Sequence, residues 1–148
     1  MAPENLFAGA YLDRRAEARL HEGWLAEAQE DSSTLYLAMR DGAALVLPAE
    51  GDVPTRIAFL EGHDPRIAAA LSPEHAVLLG WFRDQRCLLV EVGADTQARE
   101  PFERFAELRP LASELPPADA GLMAYARALH LWHAGHRFCG RCGAPTAS

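Results

Sequence analysis

Cys139 and Cys142 are the residues of this chain whose type and spacing point most directly to chemistry. They stand in the segment RFCGRCGAP, with Gly140 and Gly143 placed to turn the backbone back on itself. Such a knuckle offers two thiolates to a tetrahedral zinc ion, which takes four ligands. The second pair of a four-cysteine zinc ribbon belongs roughly 15–20 residues further on, beyond Ser148. The spacing therefore reads as half a zinc site, and the chain as the front portion of a longer protein. His136, three residues before Cys139, is the nearest candidate for a further ligand. A knuckle from another chain is the alternative. Two ligands give up most of the binding free energy that four supply, so the half-site is expected to be metal-free in these residues alone. A redox role fits less well. Thioredoxin-like pairs open a helix after a strand, whereas this pair follows a predicted helix and is flanked by glycines.

Other reactive residue types form weaker patterns. His130 and His133 are three apart, so on a helix they could share an ion. His133 also falls on an apolar stripe beside Trp132, where a packed, hydrogen-bonded histidine is the commoner outcome. His21, His63 and His75 have no partner at ligand spacing. No Ser-His-Asp or Cys-His arrangement is apparent. Gly9, Gly42, Gly51, Gly62 and Gly93 are scattered among turns rather than gathered in a phosphate loop. The Arg14-Arg15 pair could meet a phosphate, but the solvent face of a helix accounts for it equally. Trp81, Phe82, Tyr125 and Trp132 read as packing residues.

The elements that position these residues follow from patterning. Leu12, Ala16 and Leu20 share the spacing of one face of a short helix. TLYLAMR, Asp41-Gly42 and AALVLP read as a β-hairpin over 33–48, because Asp-Gly accepts positive φ at both turn positions. A short strand is expected at Arg56–Leu60, and a short helix over 65–72 opened by Pro65. HAVLLGWF (75–82) and CLLVEV (87–92) read as a second hairpin. Their unbroken apolar character implies strands covered on both faces, at the centre of the sheet. Another short helix is expected around Phe102–Leu108. Asp119 is placed to cap a long helix over 119–134, striped by Leu122, Tyr125, Ala126, Leu129, Trp132 and His133. Gly135 stands where a left-handed C-terminal cap is expected.

Composition bounds the possibilities. With 148 residues, 49% of them hydrophobic and 24% charged, the chain is long enough for one domain with a real core. The net charge of −7, carried against arginine alone because lysine is absent, argues against broad electrostatic binding to nucleic acid, DNA included. No apolar run reaches the ~20 residues needed to span a bilayer, and the N-terminus lacks the pattern of a secretory signal. Three cysteines do not suggest a disulfide framework. They fit a reducing cytoplasm in which Cys87 is simply packed.

Residues 119–146, DAGLMAYARALHLWHAGHRFCGRCGAPT, resemble the junction of the NADH pyrophosphatase family of Nudix hydrolases. There a long helix ends in Trp-His and runs through His-Arg-Phe-Cys into a zinc ribbon. NLFAGAYLDR (5–14) is similar to that family's start. The resemblance implies three parts: a rudimentary Nudix-like domain, a four-cysteine ribbon, and a catalytic Nudix domain. It implies hydrolysis of NADH to the nicotinamide mononucleotide and AMP with Mg or Mn, action on NAD or NAD-capped RNA, and a homodimer. The Nudix box, Gly-x5-Glu-x7-Arg-Glu-x-x-Glu-Glu-x-Gly, holds divalent cations with glutamates on one helix face. Its spacing is matched in part by Glu91, Arg99, Glu100 and Glu103, but Gln85, Arg104 and Ala106 replace required residues and Pro101 falls early in the would-be helix. The plain reading is a strand-end glutamate and a solvated acidic helix.

The expected architecture is α+β, with a mostly antiparallel, rudimentary Nudix-like sheet over 1–117, a junction helix over 118–136 and a truncated zinc knuckle over 137–148. The expected role is that of scaffold and dimerisation region in a cytoplasmic NAD(H) pyrophosphatase, inactive in isolation. The alternative is a stand-alone zinc-knuckle module that binds protein or RNA.

Overall fold

The computed structural model describes residues 12–135. Cys139, Cys142 and His136 lie outside the described residues, as does most of the NLFAGAYLDR segment.

Strands β2 (Leu35–Arg40) and β3 (Ala43–Leu47) form the expected hairpin. Asp41 (φ 50°) and Gly42 (φ 84°) carry the positive φ that a tight, twist-matched turn requires. Strands β6 (Ala76–Phe82) and β7 (Gln85–Glu91) form the second hairpin, turning at Arg83 (φ 51°) and Asp84 (φ 64°). The two hairpins meet along a parallel seam, in which Leu35–Met39 of β2 lies beside Cys87–Glu91 of β7. The sheet is thus mostly antiparallel with one parallel pair at its middle. Its centre is β7 and β2, not β6 and β7. Among the described residues the outer edge of β6 pairs with β1 (Leu12–Asp13) alone. Gly80 makes that contact possible. At φ 140° it lies so close to β1 that a Cβ would sit 2.3 Å from the Asp13 carbonyl oxygen.

The predicted strand at Arg56–Leu60 is present as β4 (Arg56–Ile57) and β5 (Phe59–Leu60). Ile57 pairs with Val46 of β3, while Phe59 pairs with Leu37 of β2. The segment fills the gap where the first hairpin's strands diverge. Strand β8 (Arg104–Ala106) closes the far edge of β3.

Alternation along these strands gives each face its own core. Leu37, Met39, Cys87 and Leu89 join a cluster with Leu111, Leu115, Leu122, Met123 and Ala126 beneath the long helix α3 (Pro117–Gly135). Tyr36, Ala38, Leu88 and Val90 pack on the opposite face with Ala28, Ile67 and Ala70. Burying a side chain such as Leu122 contributes about 1.5–3 kcal/mol. Cys87 is fully buried, and burial pushes its thiol well above the ordinary range. It is a packing residue, as its apolar setting implied.

Helix α3 is two residues longer at its start than patterning suggested. The first intrahelical bond, from the Ala120 N–H to the Pro116 carbonyl, is 2.9 Å, and Pro117 occupies the first turn, where no N–H is needed. Asp119 therefore does not cap the helix. Asp119 is 3% exposed, and its carboxylate accepts the backbone N–H of Ile57 at 3.0 Å. Leu122, Ala126, Leu129 and His133 lie on the covered side as expected. Trp132 is 59% exposed, because it projects away from the Leu122–Ala126 line, and Met123 takes a core position instead.

Three further expectations are corrected. Leu20 is 87% exposed, and residues 12–20 form β1 and a 3-10 turn (Ala16–Leu20) rather than one helix. The break falls at Arg15, which takes φ 32°. Residues 65–72 hold only a 3-10 turn at Ala68–Ala70. The helix expected around Phe102–Leu108 is β8 followed by α2 (Leu108–Leu111), since the open edge of β3 recruits this segment as a strand. Helix α1 (Trp24–Glu30) was not anticipated; it carries one fully buried residue, Ala28, and so a weak periodic signal.

Asp119→Ala leaves the Ile57 N–H buried without an acceptor. The expected loss is about 1–3 kcal/mol by urea unfolding with the slope unchanged, and Asp119→Asn, which retains an acceptor oxygen, should lose less.

Candidate functional site

Parallel strands bring their C-terminal ends to one side of a sheet, and loops leaving those ends line crevices. Here the end of β2 leads into Asp41 and the end of β7 into Glu91–Gly93. Around them opens a cleft of about 890 Å³. Its walls include Glu91, the loop at Asp95–Gln97, Arg66, His75 and, from α3, His130.

Glu91, the last residue of β7, is the centre of this wall. Its side chain is 9% exposed. Oε1 accepts a 2.8 Å hydrogen bond from Nδ1 of His133. Oε2 lies 3.2 Å from Nδ1 of His130. That second contact has ion-pair distance but not hydrogen-bond direction, so the buried His130 Nδ1 has no hydrogen-bond partner among the described residues. The histidines are 14% and 15% exposed. Spacing of three residues puts both imidazoles on the sheet-facing side of α3. One carboxylate thereby joins the end of β7 to the last turns of the helix. The His130–His133 pair was visible in the sequence. Its carboxylate partner, some forty positions away, was not.

The partial Nudix spacing does not assemble a cation site. Glu91 stands on a strand, Arg99 and Glu100 lie in the loop after it, and Glu103 immediately precedes β8. None of them is on a helix. Glu103 is consumed by Arg66: Nη1 of Arg66 donates to its Oε1 at 2.6 Å, and the Arg99 backbone N–H donates to the same oxygen at 2.9 Å. Arg66 also donates to Asp64 through Nε at 3.1 Å and Nη2 at 2.9 Å. Among the described residues, no group of three His, Cys, Asp or Glu side chains could enclose a metal ion. The geometry fits neither the glutamate-lined helix of a Nudix box nor a step that would run through its cations.

The arginines singled out in the sequence are engaged. Arg14 lies over Tyr125 at 4.3 Å and Arg15 over Trp81 at 4.5 Å, while Arg15 also pairs with Asp13 at 2.7 Å. Arg40 lies on the Phe105 ring and donates to the Thr96 carbonyl beside the cleft. His21 and His63 pair with the nearby glutamates Glu27 and Glu61.

The Arg66 hub has a pH signature. Hydrogen bonds from Arg66 hold the carboxyls of Asp64 and Glu103 below their ordinary range, against the opposing effect of burial. Groups depressed in the folded state contribute stability above their unfolded values and lose it as pH falls through the folded ones. Stability should therefore decline as pH drops below about 4.5. Arg66→Gln should cost about 1–3 kcal/mol at neutral pH and flatten this acid limb, read from thermal melts across pH.

Comparison with known proteins agrees with this geometry. Residues 13–132 match the NADH pyrophosphatase-like rudimentary NUDIX domain family. The human NAD-capped RNA hydrolase NUDT12 is 23% identical over 188 aligned positions, covering 97% of this chain and 38% of that relative. The human mitochondrial NAD(P)H pyrophosphatase NUDT13 is 48% identical over 42 residues, covering 28% of this chain and 12% of that relative. The chain thus spans well under half the length of the curated relatives it matches. A mixed α+β sheet covered on both faces, matched along nearly all of its described length, places the chain in the family of NADH pyrophosphatase-like rudimentary Nudix domains.

Proposed function

We propose that this chain is the non-catalytic N-terminal part of an NAD(H) pyrophosphatase, a metal-dependent hydrolase that converts NADH and water to the reduced nicotinamide mononucleotide and AMP. Residues 1–117 are the rudimentary Nudix-like body and 118–136 the junction helix. Residues 137–148 are one knuckle of a zinc ribbon, with Cys139 and Cys142 as ligands. The full protein would be homodimeric and cytoplasmic. It would use Mg or Mn in a separate catalytic domain, and would act on NADH, NAD or NAD-capped RNA.

The observation that carries this reading is the dismantled carboxylate set. Glu103 is held by Arg66 and Glu91 stands at a strand end, so the partial Nudix spacing has no shared helix face on which to hold the cations of a Nudix box. The family match and the activities in the names of NUDT12 and NUDT13 support the substrate class. No helix among the described residues is long and apolar enough to cross a membrane.

A scaffold needs a rigid exit. Helix α3 supplies it, held to the sheet by Asp119 near one end and by Glu91 near the other. Its last turns expose Leu131 and Trp132, at 50% and 59%, apolar surface suited to a neighbouring domain or subunit.

Incubation of the purified 148-residue chain with NADH and Mn should release no AMP by chromatography. Turnover above a matched Glu91→Gln, Glu103→Gln control would sink the scaffold reading.

A further inference from the structure

We propose that Glu91 and His130 form a two-ligand site for a divalent cation at the wall of the cleft, independent of the Nudix box and of the cysteine knuckle. Oε2 of Glu91 and Nδ1 of His130 are 3.2 Å apart without hydrogen-bond geometry. Two ligands each about 2.1 Å from one ion, at tetrahedral to octahedral angles, stand about 3.0–3.4 Å from one another. The observed separation falls in that interval. The His130 nitrogen is also a buried polar atom with no hydrogen-bond partner among the described residues, a costly arrangement that coordination would relieve.

The surroundings suit a cation. Oε1 of Glu91 is fixed by the His133 imidazole at 2.8 Å, so the carboxylate is oriented by a hydrogen bond from outside the site, as ligating carboxylates commonly are. Asp41 and Asp95 line the same cleft. The arginine there, Arg66, has its charge engaged by Asp64 and Glu103. Three carboxylates, those of Glu91, Asp41 and Asp95, thus line a cleft at which Arg40 donates to the Thr96 carbonyl. Glu91 and His130 both line the cleft, with Nδ1 of His130 itself buried, and the remaining positions would fall to water or to oxygen atoms of a ligand entering from the cleft, the usual condition of a cation with one or two protein ligands. An imidazole beside a carboxylate favours manganese, cobalt or zinc over calcium.

Mn²⁺ is the probe of choice, because thiolates bind it poorly and Cys139 and Cys142 will not compete. It would be titrated into the ¹⁵N-labelled 148-residue chain. The expected result is paramagnetic broadening first at the amides of Glu91–Gly93 and around His130. Glu91→Gln and His130→Gln should each weaken binding at least about tenfold, and His133→Gln, which disturbs only the orienting bond, less. Circular dichroism confirms that each variant is folded. If either substitution unfolds the chain, the unmodified protein still decides the matter through the broadening pattern. Broadening spread evenly over surface carboxylates, broadening confined to residues 136–148, or Mn²⁺ affinity unchanged in folded Glu91→Gln and His130→Gln would overturn the proposal.

Discussion

The fold depends on two carboxylates that fasten one helix across one sheet. Near the start of α3, Asp119 accepts the N–H of Ile57, a backbone donor at the point where β4 passes into β5. Near its end, Glu91 on β7 meets His130 and His133. Between these points the helix lays Leu122, Met123 and Ala126 on a fully apolar sheet face. Apolar packing is non-directional; it would hold the helix down but leave its azimuth and slide loosely specified. Hydrogen bonds at both ends are directional, and each leaves a buried polar group exposed to its full desolvation cost if broken. The pair therefore sets the course of α3 across the sheet.

The same logic explains why the described residues keep so many carboxylates while assembling no glutamate-lined cation site. In a Nudix box the glutamates must share a helix face. Here the segment after β7 is drawn to the open edge of β3, where Arg104–Ala106 pairs with Ala44–Val46. Once that strand forms, Glu103 is carried to Arg66, whose planar fork also engages Asp64. The result is an ion-pair network that braces two loops. Glu91 keeps its strand-end position and finds imidazoles instead of cation-binding glutamates.

The parallel seam between β2 and β7 links these observations. It joins two hairpins, each locally encoded by its turn, into one sheet covered on both faces. It also aligns the C-terminal ends of both strands, so that Asp41 and Glu91 open onto one cleft.

Local patterns carried much of this architecture. Asp41-Gly42 specified the first hairpin, and the doubly apolar runs at 75–82 and 87–92 announced strands buried on both faces. The 3.6-residue spacing of Leu122, Ala126 and Leu129 announced α3. Each is a short-range signal, because turn φ values, strand alternation and helical period involve residues a few positions apart. The sequence alone could not show that β8 replaces a helix, that Asp119 serves the sheet rather than the helix end, or that α1 exists. Those outcomes turn on an unpaired strand edge, a buried N–H and a marginal seven-residue segment. Most of all, it could not place Glu91 beside His130 and His133. The distance along the chain is long, the contact is made only when β7 and α3 pack, and no local propensity encodes the meeting of a strand end with a distant helix turn.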